Sequence, residues 1–281
     1  MNSIKVILLF AVSAHGNLFA QELGLKPEYR SPYRVEFTTP VRELVGDLER
    51  TERGDPRRSA EVPPSEWFSR VVRERFGAWG PPARHYLGHH SLVEWPVEQR
   101  RERVIATALR FVGYGYQHHH IPDWVPPAGW PWKTTCAGAN GPGVDCSNFT
   151  GFVYNQGFGL RLNTDVVHQS KLRYAEGPGR ERTPLHRIEL PASFQRRIET
   201  LRTGDLLFIR NRSGEISHVV LWVGPIGRSP DETPLVLDSH GEDTRDSNGK
   251  LIPCGIHLRP FRENSWYNQS ASHALRVFRD R

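Results

Sequence analysis

Cysteine is scarce in this 281-residue chain, which has only Cys136, Cys146 and Cys254. Three are too few for a disulfide-built scaffold, and they lack the paired spacing of a cysteine zinc site. The apolar run Val6–Val12 is too short to span a bilayer, so no N-terminal transmembrane helix is expected. No cysteine closely follows that run, so no lipoprotein anchor is expected. No internal repeat is present. A mean hydropathy of −0.55 and 24% charged residues describe a soluble chain with material for one large core.

What the N-terminus does have is Lys5, the apolar run and small residues at Ala14 and Ala20. That is the pattern of a secretory signal peptide over residues 1–20, cleaved after Ala20. Its removal takes away only Lys5 among the charged residues, so the formal charge falls from +6 to +5. A basic exported protein suits peripheral contact with an anionic envelope better than contact with nucleic acid. The expected location is therefore secreted or periplasmic. In an oxidising compartment an odd cysteine count points to one disulfide, expected between Cys136 and Cys254, with Cys146 left as a free thiol.

Residues 21–64 are rich in Arg, Glu and Pro and are expected to form a basic, extended or partly disordered arm. Residues 65–95 carry Trp67, Phe68, Phe76, Trp79, Tyr86 and Trp95 and are expected to pack on the domain that comes next. That domain, 96–281, begins with Pro96 and a helical stripe through Val104, Ile105, Ala108, Leu109 and Phe111. A second helix is expected after Asp145 with Gly157 as its stop, and a third in NTDVVHQSKL capped by Asn163 or Thr164. The period then changes to that of strands at Leu206–Ile209, at ISHVVLWVG, at LVLDS and at HALRVF. Helices followed by an antiparallel meander predict an α+β domain, with the Cys146 helix laid against the sheet.

In GVDCSNFTGFVYNQG, Asp145 suits an N-cap, so Cys146 falls in the first helical turn. Unpaired backbone N–H groups and the positive end of the helix dipole there favour thiolate over thiol. A lone helix cysteine is more often a small core residue, so the assignment needs partners. His218 interrupts an apolar strand and is the candidate base; alone, it reads equally well as a core histidine bonded to a carbonyl. The next strand ends in LDSHG and offers Asp238 or His240 as the group that orients the base, with His240 preferred.

These residues resemble the NlpC-type family of papain-like cysteine peptidases. The nucleophile motif is matched by Asp145, Cys146 and Ser147, a strand entry by Gly204, Asp205 and Leu206, and the base motif by Ser217, His218, Val219 and Gly224. Upstream, Gly113 to Tyr116 resemble the family's Pro-Tyr segment and put Tyr116 in the active site. The likeness covers roughly 104–278 and implies a papain-like core with N-terminal helices on an antiparallel sheet. It also implies hydrolysis of peptide or isopeptide bonds in peptidoglycan stem peptides by a monomer without a cofactor. The oxyanion would then be held by the Cys146 N–H and the Tyr116 hydroxyl. Two departures stand out. Asn148 replaces a glycine and adds bulk to the first helical turn, and a Trp- and Pro-rich insertion occupies 121–144. His118, His119 and His120, with His85, His89 and His90, do not share a face as metal ligands would, and no metal is expected. Two other function classes stand beside the peptidase: an acyltransferase or lipid hydrolase on the same core, and a non-catalytic wall-binding module.

Overall fold

The computed structural model describes residues 29–50, 66, 69–76, 86, 90–116, 129–132, 144–177, 179, 181–242 and 244–280. The signal segment, residues 51–65, His118–His120, Cys136 and most of the insertion lie outside them, and with them the expected Cys136–Cys254 pairing. The chain divides into two units, 1–30 and 31–281, and the elements of the described residues lie in the second.

Two long helices carry the apolar stripes. Helix α1 is Val97–Leu109 and starts directly after Pro96. Helix α2 is Cys146–Phe158, with Asp145 as N-cap. Its stop falls at Gly159 instead of Gly157, because Gly159 is the residue in the left-handed region (φ 70°) that ends a helix cheaply for glycine alone. A one-turn helix, α3 (Val166–Gln169), is capped by Asp165, whose side chain accepts from the N–H groups of Val167 and His168. The cap is thus one residue beyond those expected.

The main sheet has six antiparallel strands: β1 (His186–Glu189), β2 (Leu206–Arg210), β3 (Ile216–Trp222), β4 (Leu235–His240), β5 (Gly255–Pro260) and β6 (Ala271–Arg276). Their spatial order is β5-β4-β3-β2-β6-β1, a meander to which the last strand returns on the far side of β2. One face builds a core from Leu207, Ile209, Val220, Trp222, Val236, Phe261, Tyr267 and Ala274. The alternate residues Val219, Leu221 and Leu237 are equally buried, and α2 packs over β3 and β4. Both faces are therefore covered, and each buried large aliphatic side chain contributes about 1.5–3 kcal/mol. The Gly-Asp-Leu entry to β2 is structural: Asp205 is buried and accepts from Arg276 Nε at 2.9 Å and Nη2 at 2.7 Å, tying β2 to β6.

Residues 31–50 do not behave as the arm predicted for them. Arg34–Val35 pairs with Gly227–Arg228, and Leu44, Val45 and Leu48 are buried. Polar residues of α1 hold the segment: Glu102 accepts from Thr38 N and Oγ1 at 2.8 Å and from Thr39 N at 2.9 Å. Arg103, fully buried, makes a two-pronged bond to Asp47 at 2.7 Å. Composition marks the segment as unable to bury itself; it is held instead by charged side chains on a helix some sixty residues away, which composition does not register. Beyond it, Tyr86 meets Phe152 edge-on at 5.7 Å, and Trp130 packs near Phe111 at 6.1 Å.

The stretch 113–116 is seated on β5: Gly113 N donates to Ile256 O, and Ile256 N to Tyr114 O, each at 2.9 Å. This approach requires Gly255, where φ is +106° and a Cβ would stand 2.3 Å from Tyr114 O. Gly255→Ala is expected to lower the urea midpoint by an amount equivalent to about 2 kcal/mol or more. An unchanged midpoint would show that the two backbones can separate at no cost.

Candidate active site

The Cys146 sulfur owes its place to a tightly bonded helix start. Asp145 Oδ1 accepts from Asn148 N at 2.9 Å and Nδ2 at 2.8 Å. Ser147 Oγ donates to Thr164 O at 2.8 Å. Gln169, fully buried on α3, donates to Ser147 O at 3.0 Å and Asn163 O at 2.8 Å and accepts from Thr150 Oγ1 at 3.1 Å. Each polar group of that amide is used, which locks the first turn of α2. Asn148 does not push the expected bulk toward a substrate; it is 3% exposed and turns back onto the cap.

His218, at the start of β3, joins the sulfur to an acid. Its Nε2 lies 2.7 Å from Asp238 Oδ2, and its side chain also hydrogen-bonds Cys146. With Nε2 occupied, Nδ1 is the nitrogen left for the sulfur. Burial pulls the pKa of His218 down, but the charge on Cys146 and the bond to Asp238 outweigh it and raise the value from 6.5 to about 10. Burial pushes Asp238 upward, yet the bond to His218 and the charge on Arg259 hold it well below the usual carboxylate range.

The acid on Nε2 is thus Asp238, which corrects the preference for His240. Strands β3 and β4 pair through Leu221 with Leu237 and Trp222 with Val236. Continuing that register sets His240 opposite His218 and Asp238 on the diagonal. The opposite residue lies beside the ring: His240 meets His218 edge-on at 5.1 Å, and its Nδ1 turns to the backbone of Glu242, 2.8 Å from the carbonyl oxygen. The diagonal one reaches the far nitrogen. Strand alternation makes β4 a clamp on both halves of the site, because Ser239, pointing the other way, donates to Val144 O at 2.5 Å, two residues before the sulfur.

Three residues at the site are not among those singled out by sequence. Arg259, fully buried, donates to Asp238 Oδ1 at 3.0 Å, to Thr244 Oγ1 at 2.6 Å and to the carbonyls of Pro253 and Gly255. The Tyr267 hydroxyl donates to Asp238 Oδ2 at 2.9 Å. Trp266, 38% exposed, lies with its ring 5.5 Å from that of His218. An arginine in an apolar strand is the one available hint, since such a charge is buried only with a partner.

Tyr116 is brought to the same place. Burial, and the nearby charges of Cys146 and Asp145, push its phenol above the ordinary tyrosine value, so it stays protonated and can donate. Its ring is backed by Gly241 at the end of β4, where a Cβ would stand 3.0 Å from Tyr116 Cε1.

Fold and site together define an α+β protein with a buried thiol at a helix start, a histidine against it and a carboxylate behind the histidine. Residues 131–268 match the NlpC/P60 family. The matched stretch is just under half of the chain and is similar to a family that commonly comprises cell-wall peptidases. Among solved structures, it is similar to an NlpC/P60 family protein from Bacillus cereus ATCC 10987 at 19% identity, covering 66% of this chain and 41% of that one, with a TM-score of 0.35. NlpC1 from Trichomonas vaginalis is similar at 14% identity over 63% of this chain and 44% of that one, with a TM-score of 0.32. The NlpC/p60 domain of peptidoglycan hydrolase SagA is similar at 16% identity over 63% of this chain and 97% of that one, with a TM-score of 0.35. The chain thus spans less than half the length of the first two. No curated protein matches it.

Proposed function

We propose that the protein is an exported cysteine peptidase or amidase that hydrolyses peptide or isopeptide bonds in peptidoglycan stem peptides. The observation that carries this reading is the continuous line from the Cys146 sulfur through His218 to Asp238. A sulfur beside a histidine can pass its proton to that ring, and the thiolate so formed is the nucleophile.

The thiolate attacks the scissile carbonyl carbon, and the carbonyl π electrons move onto oxygen. The N–H at the start of α2 and the Tyr116 hydroxyl are the donors for that oxyanion. As the tetrahedral intermediate collapses, the C–N bond breaks and the His218 proton goes to the leaving amine. His218 then takes a proton from water, which attacks the thioester and frees Cys146. Asp238 stays ionised and keeps the ring turned so that Nδ1 faces the sulfur. Contact of the basic surface with an anionic envelope would bring the enzyme to its substrate.

The test is mass spectrometry of muropeptides after digestion of purified peptidoglycan, with phospholipid vesicles run alongside. New amine and carboxyl termini within stem peptides, absent with Cys146→Ala, are expected. Cleavage of acyl esters with intact peptides would replace this reading by the lipid-hydrolase one, and failure on both substrates would favour a binding module.

A further inference from the structure

We propose that Tyr267 is a positioning residue that sets how tightly His218 holds its proton, acting through Asp238. The proposal rests on the Cys–His–Asp reading of the site but reaches a residue whose hydroxyl bonds the carboxylate behind the imidazole. Asp238 Oδ2 accepts twice, from His218 Nε2 at 2.7 Å and from the Tyr267 hydroxyl at 2.9 Å, while Oδ1 is taken by Arg259 at 3.0 Å. All four side chains are almost fully buried, with exposures of 6% for His218, 5% for Tyr267 and none for Asp238 and Arg259. In such surroundings two donors on one oxygen compete for the same electron density, and water cannot make up a lost bond. The phenol pKa is pushed upward by burial and by the Asp238 charge, so Tyr267 remains a donor across the working range.

The charged and titratable groups that face this cluster come from every neighbouring element. Cys146 approaches from α2, Asp238 and His240 from β4, His257 and Arg259 from β5, and Tyr267 from the turn of helix Trp266–Gln269. His257 stands directly across the ladder from Asp238 and is held neutral, its pKa lowered to about 4 by burial and by the Arg259 charge. The cationic neighbours Arg259 and His218 thus both face the Asp238 carboxylate. Among the described residues, Tyr267 is the neutral, permanent donor on the oxygen that His218 uses. With its hydroxyl in place, Asp238 pulls less strongly on the His218 proton, and the imidazolium is a better acid toward a leaving amine.

Tyr267→Phe removes the hydroxyl and keeps the ring, which belongs to the same core as Val236, Phe261 and Ala274. The expected result is an upward shift of about half to one pH unit in the His218 titration. It is read in two ways: from the alkaline limb of Cys146 alkylation by iodoacetamide, followed by mass spectrometry of the Cys146 peptide, and by NMR of the His218 ring in a Cys146→Ala background. On a wall peptide, kcat falls severalfold with KM unchanged. The shift should vanish in an Asp238→Asn background. A titration that stays put or moves down in the well-folded Tyr267→Phe protein overturns the proposal, as does a shift that persists without the Asp238 carboxylate. Because the NMR arm needs neither the thiol nor turnover, it decides the role of Tyr267 even if the protein cleaves no wall peptide.

Discussion

Cys146→Ala is expected to cut turnover of stem peptides by on the order of 10⁴-fold or more, since a covalent mechanism loses its nucleophile outright. The substitution removes a single, 6% exposed sulfur, whose packing contributes about 1 kcal/mol, so the fold should survive. The two effects separate chemistry from folding. A second effect is expected at His218, because the charge on Cys146 is the first of the influences that raise its pKa to about 10 against the pull of burial. Without the sulfur, the His218 ring should titrate closer to its ordinary 6.5. Peptide turnover within tenfold of wild type, or a His218 titration unmoved by the loss of the sulfur, would show that the thiol is a core residue and not the nucleophile.

Asp238→Ala is expected to harm both activity and stability. It leaves the Arg259 guanidinium buried with only Thr244 and two carbonyls for company, and an uncompensated buried charge costs about 3–5 kcal/mol. It also strands the Tyr267 hydroxyl and frees the His218 ring to turn, for which a loss of roughly 10²–10⁴ in kcat is expected from other acid-oriented imidazoles.

The pH dependence has a definite sign. The raised His218 stabilises the folded state fully below its ordinary value of 6.5, and this is lost as pH rises toward about 10. The depressed Asp238 does so above its ordinary value of 3.8, and this is lost as pH falls through its lower folded value. The stability deficit of Asp238→Ala should therefore be largest between about pH 4 and 6.5 and shrink at alkaline pH, as urea unfolding at several pH values will show. A deficit that does not vary with pH would mean that Asp238 contributes packing and not charge.

Much of the scaffold is legible in the sequence because it is written locally. Helix α2 can be read from an N-cap and an apolar period, and β3 from alternation, since both patterns depend on residues a few positions apart. The strands His186–Glu189 and Gly255–Pro260 escape such a reading: one is a short edge strand, and the other carries His257 and Arg259 among its apolar residues. The choice between Asp238 and His240 cannot be made locally either. Both lie on the same side of β4, and which one reaches Nε2 depends on the register of β4 against β3 and on where a neighbouring ring turns.

From the chain alone came a thiol at a helix start, a histidine in an apolar strand, an α+β order of elements, and a choice of two residues for the histidine's partner. These are matters of local spacing and of residue chemistry. Folding chose Asp238 by surrounding it with His218, Arg259 and Tyr267, which lie 20, 21 and 29 residues away. It turned Asn148 inward onto its own cap and drew residues 31–50 onto Glu102 and Arg103. Each of these outcomes required a buried charge or polar group to find its partner across the chain, and such pairing is set by where the backbone passes in space, which neither composition nor periodicity encodes.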